Sequence, residues 1–154
     1  MSAVEEANAA AVEGALPQLP YGDAVHTVLA ALAFLPDTIE AGVRRESIDQ
    51  RGELFLRLEW LPGNDDLVPA TVQADGLVVQ WSHLTGWSTR CGDDLVAPGL
   101  ADLADPALVA DAAVHAALHG LRCRCEPVTP GRRWSEAHVL DAALQAYDER
   151  PVTW

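Results

Sequence analysis

Two histidines and two cysteines stand close together in the sequence, and both residue types bind transition metals. His115 and His119 are four residues apart, so a helix would present both imidazoles on one face. Cys123 and Cys125 follow just beyond the expected end of that helix. Imidazole nitrogen and thiolate sulfur are the usual ligands of tetrahedral zinc. The pattern is therefore compatible with a zinc site, with Asp111 one turn earlier on the same face.

The same residues have a simpler interpretation as the polar stripe of an amphipathic helix. The C-x-C spacing also lacks the two-residue gap of common zinc motifs. A thiol-dependent enzyme is the third possibility, because arginines flank Cys123 and Cys125 and favour thiolate. The sequence contains no complete catalytic set, phosphate-binding glycine loop or dinucleotide fingerprint. We therefore expect no required cofactor, with zinc as the alternative.

The charge of the chain restricts its partners. Its 154 residues include 23 acidic and 10 basic residues, for a net charge of −13. Phosphate contacts need clustered positive charge, so we expect neither direct nucleic-acid binding nor binding to an anionic membrane. A protein partner, including one with a basic surface, remains compatible, and so does a homodimer.

The odd number of cysteines and their spacing favour a reducing, cytoplasmic compartment. Glu5 and Glu6, with no basic residue, precede the small apolar residues at the N-terminus, so we do not expect a secretory signal there. The sequence has no apolar run of about 18 residues, and we expect no membrane-spanning segment.

The elements that would position these residues follow from hydrophobic periodicity. Residues 1–19 are alanine-rich and predict a flexible arm, and residues 20–154 predict one domain. Helices are expected near 21–35, 105–119 and 135–149, with Asp23 and Ser135 as caps and Asp105-Pro106 opening the second. Strands are expected over 42–48 and 53–61, with an edge strand over 67–74. The prediction is an α+β fold in which helices cover mainly one face of an antiparallel sheet of three to five strands.

A hairpin forms the centre of the predicted sheet. Leu77, Val79 and Trp81 alternate with polar or smaller residues, as in a half-buried strand. Residues 83–86 predict a four-residue loop that ends in a glycine. Trp87 then follows, and the sequence leaves open whether it is a core residue or a contact residue.

The hairpin and its neighbours resemble a family of small actinobacterial proteins of unknown function, often found in mobile elements. The resemblance covers about residues 20–120 and rests on Gly42-Val43, on the W-x4-GW hairpin from Trp81 to Trp87, and on Asp105-Pro106. It implies the fold and the source. It implies no catalytic residue.

Together these features favour a non-enzymatic protein-binding or regulatory module. The expected contact surface is the less apolar face of the sheet and the hairpin edge, and its residues are Phe55, Arg57, His83, Trp87 and Trp134. Two alternatives stay open. One is an acidic decoy that occupies a nucleic-acid-binding surface, which requires carboxylates clustered on one face. The other is a small metal- or thiol-dependent enzyme that uses His115, His119 and Cys123.

Overall fold

The computed structural model describes residues 16–45, 52–122 and 131–149. In chain order the elements are α1 (Leu19–Ala31), β1 (Thr38–Arg44), β2 (Glu53–Trp60), α2 (Ala70–Asp75), β3 (Leu77–Ser82), β4 (Gly86–Cys91), β5 (Asp94–Val96), α3 (Pro106–His119) and α4 (Ala137–Glu149). The five strands form one antiparallel sheet in the order β1-β2-β3-β4-β5. The predicted α+β fold is therefore confirmed.

One face of the sheet builds the hydrophobic core with the helices. Alternate residues of β2, from Leu54 to Trp60, are at most 2% exposed, and the intervening residues are half-buried. The register places Leu56 opposite Trp81, which in turn lies opposite Trp87. Buried residues of α1, α3 and α4 belong to the same core cluster. Sequence alternation in β2 thus translates directly into one buried and one half-buried face, whereas in β3 only Gln80 is not buried.

The first helix begins earlier than predicted. Leu19 starts α1 and Pro20 lies in its first turn, where a missing backbone N–H costs nothing. Asp23 is therefore an interior residue rather than the cap. Gln18, just before the helix, is fully buried and its side-chain amide donates to the carbonyls of Gly42 and Phe55. The packed domain consequently includes residues 16–19, which were predicted to belong to the flexible arm, and residues 1–15 lie outside the described residues.

The prediction of an edge strand over residues 67–74 is wrong. The segment contains a loop followed by α2, with Pro69 at the N-cap, a position that needs no N–H donor. Val72 turns inward and is 2% exposed. Gly76, at φ +79°, ends the helix and leads straight into β3. A Cβ at Gly76 would lie 2.8 Å from the carbonyl oxygen of Trp60, so the close approach of the chain also requires glycine.

Three strand boundaries also differ from the prediction. β1 begins at Thr38 and ends at Arg44, four residues before the predicted end of the strand at 48. The hairpin loop contains residues 83–85, because Gly86 already pairs with Ser82. The short β5 was not predicted. It has only three residues, and its central Leu95 is exposed, so the sequence shows no alternation of apolar and polar residues that would indicate a strand. By contrast, Asp105 caps α3 as predicted, its side chain accepting from the Ala107 N–H, and Gly120 follows the last residue of α3.

The tyrosine of α1 connects most parts of the core. Tyr21 is fully buried, and its hydroxyl donates to the carbonyl of Ala104 at 2.6 Å and accepts from Nε1–H of Trp87 at 3.1 Å. Its ring centroid lies 6.0, 5.9 and 5.0 Å from those of Trp81, Trp87 and Trp134. We call these four residues the aromatic hub. It joins α1, the central hairpin and the residues before α4.

We expect Tyr21→Phe to lower the free energy of unfolding by about 2–4 kcal/mol, because it leaves the Trp87 N–H and the Ala104 carbonyl buried without a partner. Urea denaturation followed by tryptophan fluorescence measures this. The matched control is Tyr147→Phe, whose hydroxyl donates to the Gly52 carbonyl at a partly exposed position. Its loss should stay below about 1.5 kcal/mol. Equal losses for the two variants would contradict the assigned role of Tyr21.

Stability should also fall at alkaline pH because of Tyr21. Burial raises the pKa of this phenol far above its usual value near 10, so the folded state holds a proton that the unfolded state releases. The stabilising contribution is complete below pH about 10 and is lost as the pH rises above it, by up to about 1.4 kcal/mol per pH unit. Tyr21→Phe should flatten the stability profile above pH about 10. Parallel profiles for the wild type and the variant would refute this.

Candidate functional site

The second face of the sheet carries no described helix, and we call it the open face. The register assigns it alternate residues of all five strands: Thr38, Glu40, Gly42, Arg44, Glu53, Phe55, Arg57, Glu59, Val78, Gln80, Ser82, Gly86, Ser88, Arg90 and Leu95. None of these residues belongs to the core cluster. Most of them are half-buried by their neighbours in the sheet, so they form a continuous layer of ordered side chains.

The centre of the open face is a polar row that crosses four strands. Glu40 lies opposite Arg57, Arg57 opposite Gln80, and Gln80 opposite Ser88. The Arg57 guanidinium is 3.6 Å from the Glu59 carboxylate, and about a third of each side chain is exposed. At that exposure the pair adds little to stability. Its effect is to favour one position of the arginine, which slightly lowers the entropy that a partner would have to remove.

An aromatic and a cation lie next to this row. The ring of Phe55 covers Gly42, where an added Cβ would lie 3.0 Å from the ring carbon Cε1. The guanidinium of Arg44 lies over the same ring, 4.7 Å from its centroid, within the range of a cation–π contact. The absence of a side chain at Gly42 therefore leaves the space that the Phe55 ring occupies over β1.

A small polar cleft at the hairpin end of the open face lacks the features of an active site. The Ser82 hydroxyl donates to the Glu53 carboxylate at 2.5 Å and accepts from the Leu84 N–H at 3.0 Å. The serine therefore fixes the turn. The cleft has a volume of about 60 Å³. Pockets for small-molecule ligands are usually at least about 300 Å³, so this cleft is too small to enclose a substrate.

The open face is balanced in charge, unlike the chain as a whole. It carries three arginines and three glutamates, and these are Arg44, Arg57, Arg90, Glu40, Glu53 and Glu59. The chain has a net charge of −13. The excess acids therefore lie outside this face. A partner of the open face meets alternating charge and not a carboxylate cluster.

Two residues predicted for the contact surface lie in the interior. Trp87 is 4% exposed and belongs to the aromatic hub, so of its two predicted roles the structure has the core role. The side chain of His83 is also 4% exposed. Its Nδ1 accepts from the Leu54 N–H at 3.0 Å, and its Nε2 lies 3.3 Å from Asp148 of α4. Since Nδ1 is an acceptor, the ring proton is assigned to Nε2.

Trp134, the third aromatic predicted as a contact, is partly exposed; its ring packs against Tyr21, and its backbone N–H donates to the Leu103 carbonyl. Phe55 and Arg57 do lie on the open face. Gln80 also lies there and was not predicted as a contact residue, although its alternation with Val79 and Trp81 indicated the open face. The positions of Arg44 and Ser88 on this face depend on strand register, which no local pattern indicates.

The residues predicted to bind metal are only partly described. The His115 Nε2 lies 3.3 Å from the Asp111 carboxylate, and the rings of His115 and His119 are 5.7 Å apart. The three residues thus share one surface of α3, as the spacing predicts. Cys123 and Cys125 lie outside the described residues. Within the described residues, no group of three or more potential ligands could hold a metal ion. The zinc hypothesis stays a prediction.

Cys91, a further candidate nucleophile, is held in its neutral form. Burial raises the pKa of its thiol, and the carboxylates of Asp75 and Asp94 raise it further. Its sulfur lies 3.7 Å from the carbonyl oxygen of Thr71. A reactive cysteine needs an electropositive setting that favours thiolate. The environment of Cys91 is instead partly buried and next to two carboxylates, which disfavours the thiolate.

Comparison with known proteins finds no matching family model and no match among curated proteins or solved structures. The resemblance to the actinobacterial family therefore stays a prediction. Among the described helices, none combines the length and apolarity that a membrane crossing needs.

We expect His83→Phe to lower the free energy of unfolding by about 1–3 kcal/mol, because it leaves the buried N–H of Leu54 without an acceptor. Asp148→Asn should change it by less than about 0.5 kcal/mol, since that carboxylate is 55% exposed. Chemical denaturation of both variants measures the difference. A larger loss for Asp148→Asn would mean that the Asp148 contact, and not the Leu54 bond, fixes His83.

Proposed function

We propose that this protein is a non-enzymatic binding module that recognises another protein through the open face. The single observation that carries the proposal is an ordered, charge-balanced sheet surface, with an aromatic and three arginines, that no described helix covers. A cytoplasmic setting and an actinobacterial or mobile-element source agree with it.

The composition of the open face supports recognition of a protein. Arginine and aromatic residues are enriched in the contacts that contribute most to binding energy. Phe55 and Arg57 are neighbours on one face of β2, and Arg44 stacks on the Phe55 ring. Because Arg44 and Arg57 already have intramolecular contacts, they would lose little freedom on binding. These three residues form the proposed centre of the interface.

The charge pattern indicates the kind of partner. Three arginines and three glutamates alternate across the open face, so a complementary surface carries both signs and several hydrogen-bonding groups. A uniformly basic partner would meet Arg44, Arg57 and Arg90. The acidic-decoy alternative would therefore need a different surface of the protein, and it stays a prediction.

The proposal is tested with two arginines that have the same chemistry and different locations. Arg57→Glu changes the open face, whereas Arg122→Glu makes the same charge change on an exposed arginine that pairs with Asp94. The wild-type chain is used to isolate a partner from a lysate of its own host, and the affinity of the purified partner is then measured by calorimetry. We expect Arg57→Glu to weaken binding at least about tenfold and Arg122→Glu to leave it within about twofold.

A second pair of variants adds charge of the opposite sign. Ser88→Arg places a bulky cation in the polar row, and Val68→Arg makes the same addition at a site outside the open face that is 62% exposed. Only Ser88→Arg should weaken binding. If both open-face variants keep wild-type affinity while remaining folded, the proposal fails.

Native mass spectrometry of the same complex before and after chelator detects zinc, and a metal mass lost with chelator would support the alternative at His115 and His119.

A further inference from the structure

The strand β1 forms one edge of the sheet, and its outer side has no partner among the described residues. It is seven residues long, and most of it is exposed. It contains no proline, which often protects edge strands from pairing, and its charged residues, Glu40 and Arg44, lie on the open face. An edge strand of this length is a template for a further strand.

The hydrogen bonds of β2 show which groups of β1 face outward. Val43 lies opposite Leu54, but the Leu54 N–H donates to the His83 ring and its carbonyl accepts from the His83 N–H. Leu54 therefore directs its backbone groups toward the hairpin, and Val43 directs its own toward the outer edge. Hydrogen-bonded and non-hydrogen-bonded pairs alternate along an antiparallel ladder, so every second residue of β1 has the same backbone direction. Ala41 and Ile39 therefore also point their N–H and carbonyl groups toward the outer edge. Three residues thus offer both an N–H and a carbonyl to an added strand.

The sequence of β1 is complementary to itself when two copies run antiparallel. With Ala41 opposite its own counterpart, Ile39 of each copy lies opposite Val43 of the other, on the side of the helices. Ile39 and Val43 are 45% and 37% exposed, so pairing would remove apolar surface from water. Three pairs that each exchange two backbone bonds give about six new hydrogen bonds.

The charges on the open face allow the same arrangement. Glu40 of one copy lies opposite Gly42 of the other, so its diagonal neighbours there are Arg44, which attracts it, and the second Glu40, which repels it. A parallel arrangement would instead place Glu40 beside Glu40 and Arg44 beside Arg44. The residues at the centre, Ala41 and Gly42, are small and let the two strands approach without obstruction.

We propose that a second copy of this chain pairs antiparallel with β1, joining two five-stranded sheets across a twofold axis centred on Ala41. In this dimer the open faces of the two copies become one continuous surface. The inference does not depend on the open face binding another protein.

The first test is sedimentation velocity of the full-length wild type from about 1 μM to about 500 μM, which covers moderate and weak affinity. We expect a concentration-dependent monomer–dimer equilibrium. Ala41→Pro removes an outward-facing N–H that has no described acceptor in the monomer, so the fold should be kept while the dissociation constant rises at least about tenfold. Far-ultraviolet circular dichroism and urea denaturation of each variant check the fold.

The second test examines the register. Ile39→Lys or Val43→Glu alone should weaken the dimer, because each places a charge against an apolar side chain. The double variant should regain affinity, since the lysine of one copy would then face the glutamate of the other. Within one chain the two positions are four residues apart along a strand, about 13 Å, so they do not pair with each other.

Three results would overturn the proposal. The first is a wild type that stays monomeric at every concentration. The second is a dimer that Ala41→Pro leaves intact, and the third is a double variant no tighter than the single ones. If the wild type is monomeric alone and a different protein binds it in a manner that Ala41→Pro abolishes, the β1 edge takes a foreign strand and the second copy is excluded.

Discussion

The rest of the structure depends on the two hydrogen bonds of the buried Tyr21 hydroxyl. It accepts from one tryptophan of the hairpin and donates to the carbonyl of Ala104, while its ring packs against three tryptophans. Trp81 extends the same arrangement, because its Nε1–H donates to the carbonyl of Asp102 at 2.7 Å. The segment before α3 is thus held by these side chains together with a short antiparallel bridge between Ala104 and Arg133. The large aromatics fill one side of the sheet and satisfy polar groups of an irregular stretch of backbone at the same time.

This one-sided core leaves the opposite side of the sheet without a described helix. All the helices that carry buried residues contribute to the cluster around Tyr21. The open face therefore supplies little of the hydrophobic stabilisation, and its exposed charged residues can be changed with modest effect on stability. The same division explains why β1, at the margin of the helical layer, keeps Ile39 and Val43 partly exposed. The surfaces proposed for binding therefore lie apart from the core that the helices build on the sheet.

The sequence predicted those features that depend on local patterning. Alternation from Leu54 to Trp60 and from Leu77 to Trp81 identified the two central strands, and Asp105-Pro106 with Gly120 identified α3. Features that depend on distant contacts were missed or misplaced. Val72 is buried as part of a short helix, and the pattern around Pro69 resembled an edge strand. Burial of Gln18 depends on carbonyls of β1 and β2 that no local pattern indicates.

The predicted contact residues also divide into those placed by local patterning and those placed by distant contacts. Phe55 and Arg57 follow from strand alternation, whereas the burial of His83 and Trp87 follows from α4 and α1 packing over the hairpin. Aromatic residues near a turn occur in both cores and interfaces, so their type alone could not decide between the two. The neighbours of Arg44 and Ser88 across the sheet depend on register, which the sequence does not specify for β1.

The aromatic hub also has a consequence for biosynthesis. Its first member is residue 21 and its last is residue 134, so the cluster cannot close until most of the chain has been made. While the ribosome still holds the C-terminal part, Tyr21 and the hairpin tryptophans lack Trp134 and the support of α4. Contacts so distant along the chain are formed late and slowly. The nascent protein therefore exposes an apolar surface and an unprotected strand edge during synthesis, and this is the period in which a chaperone would matter most to it.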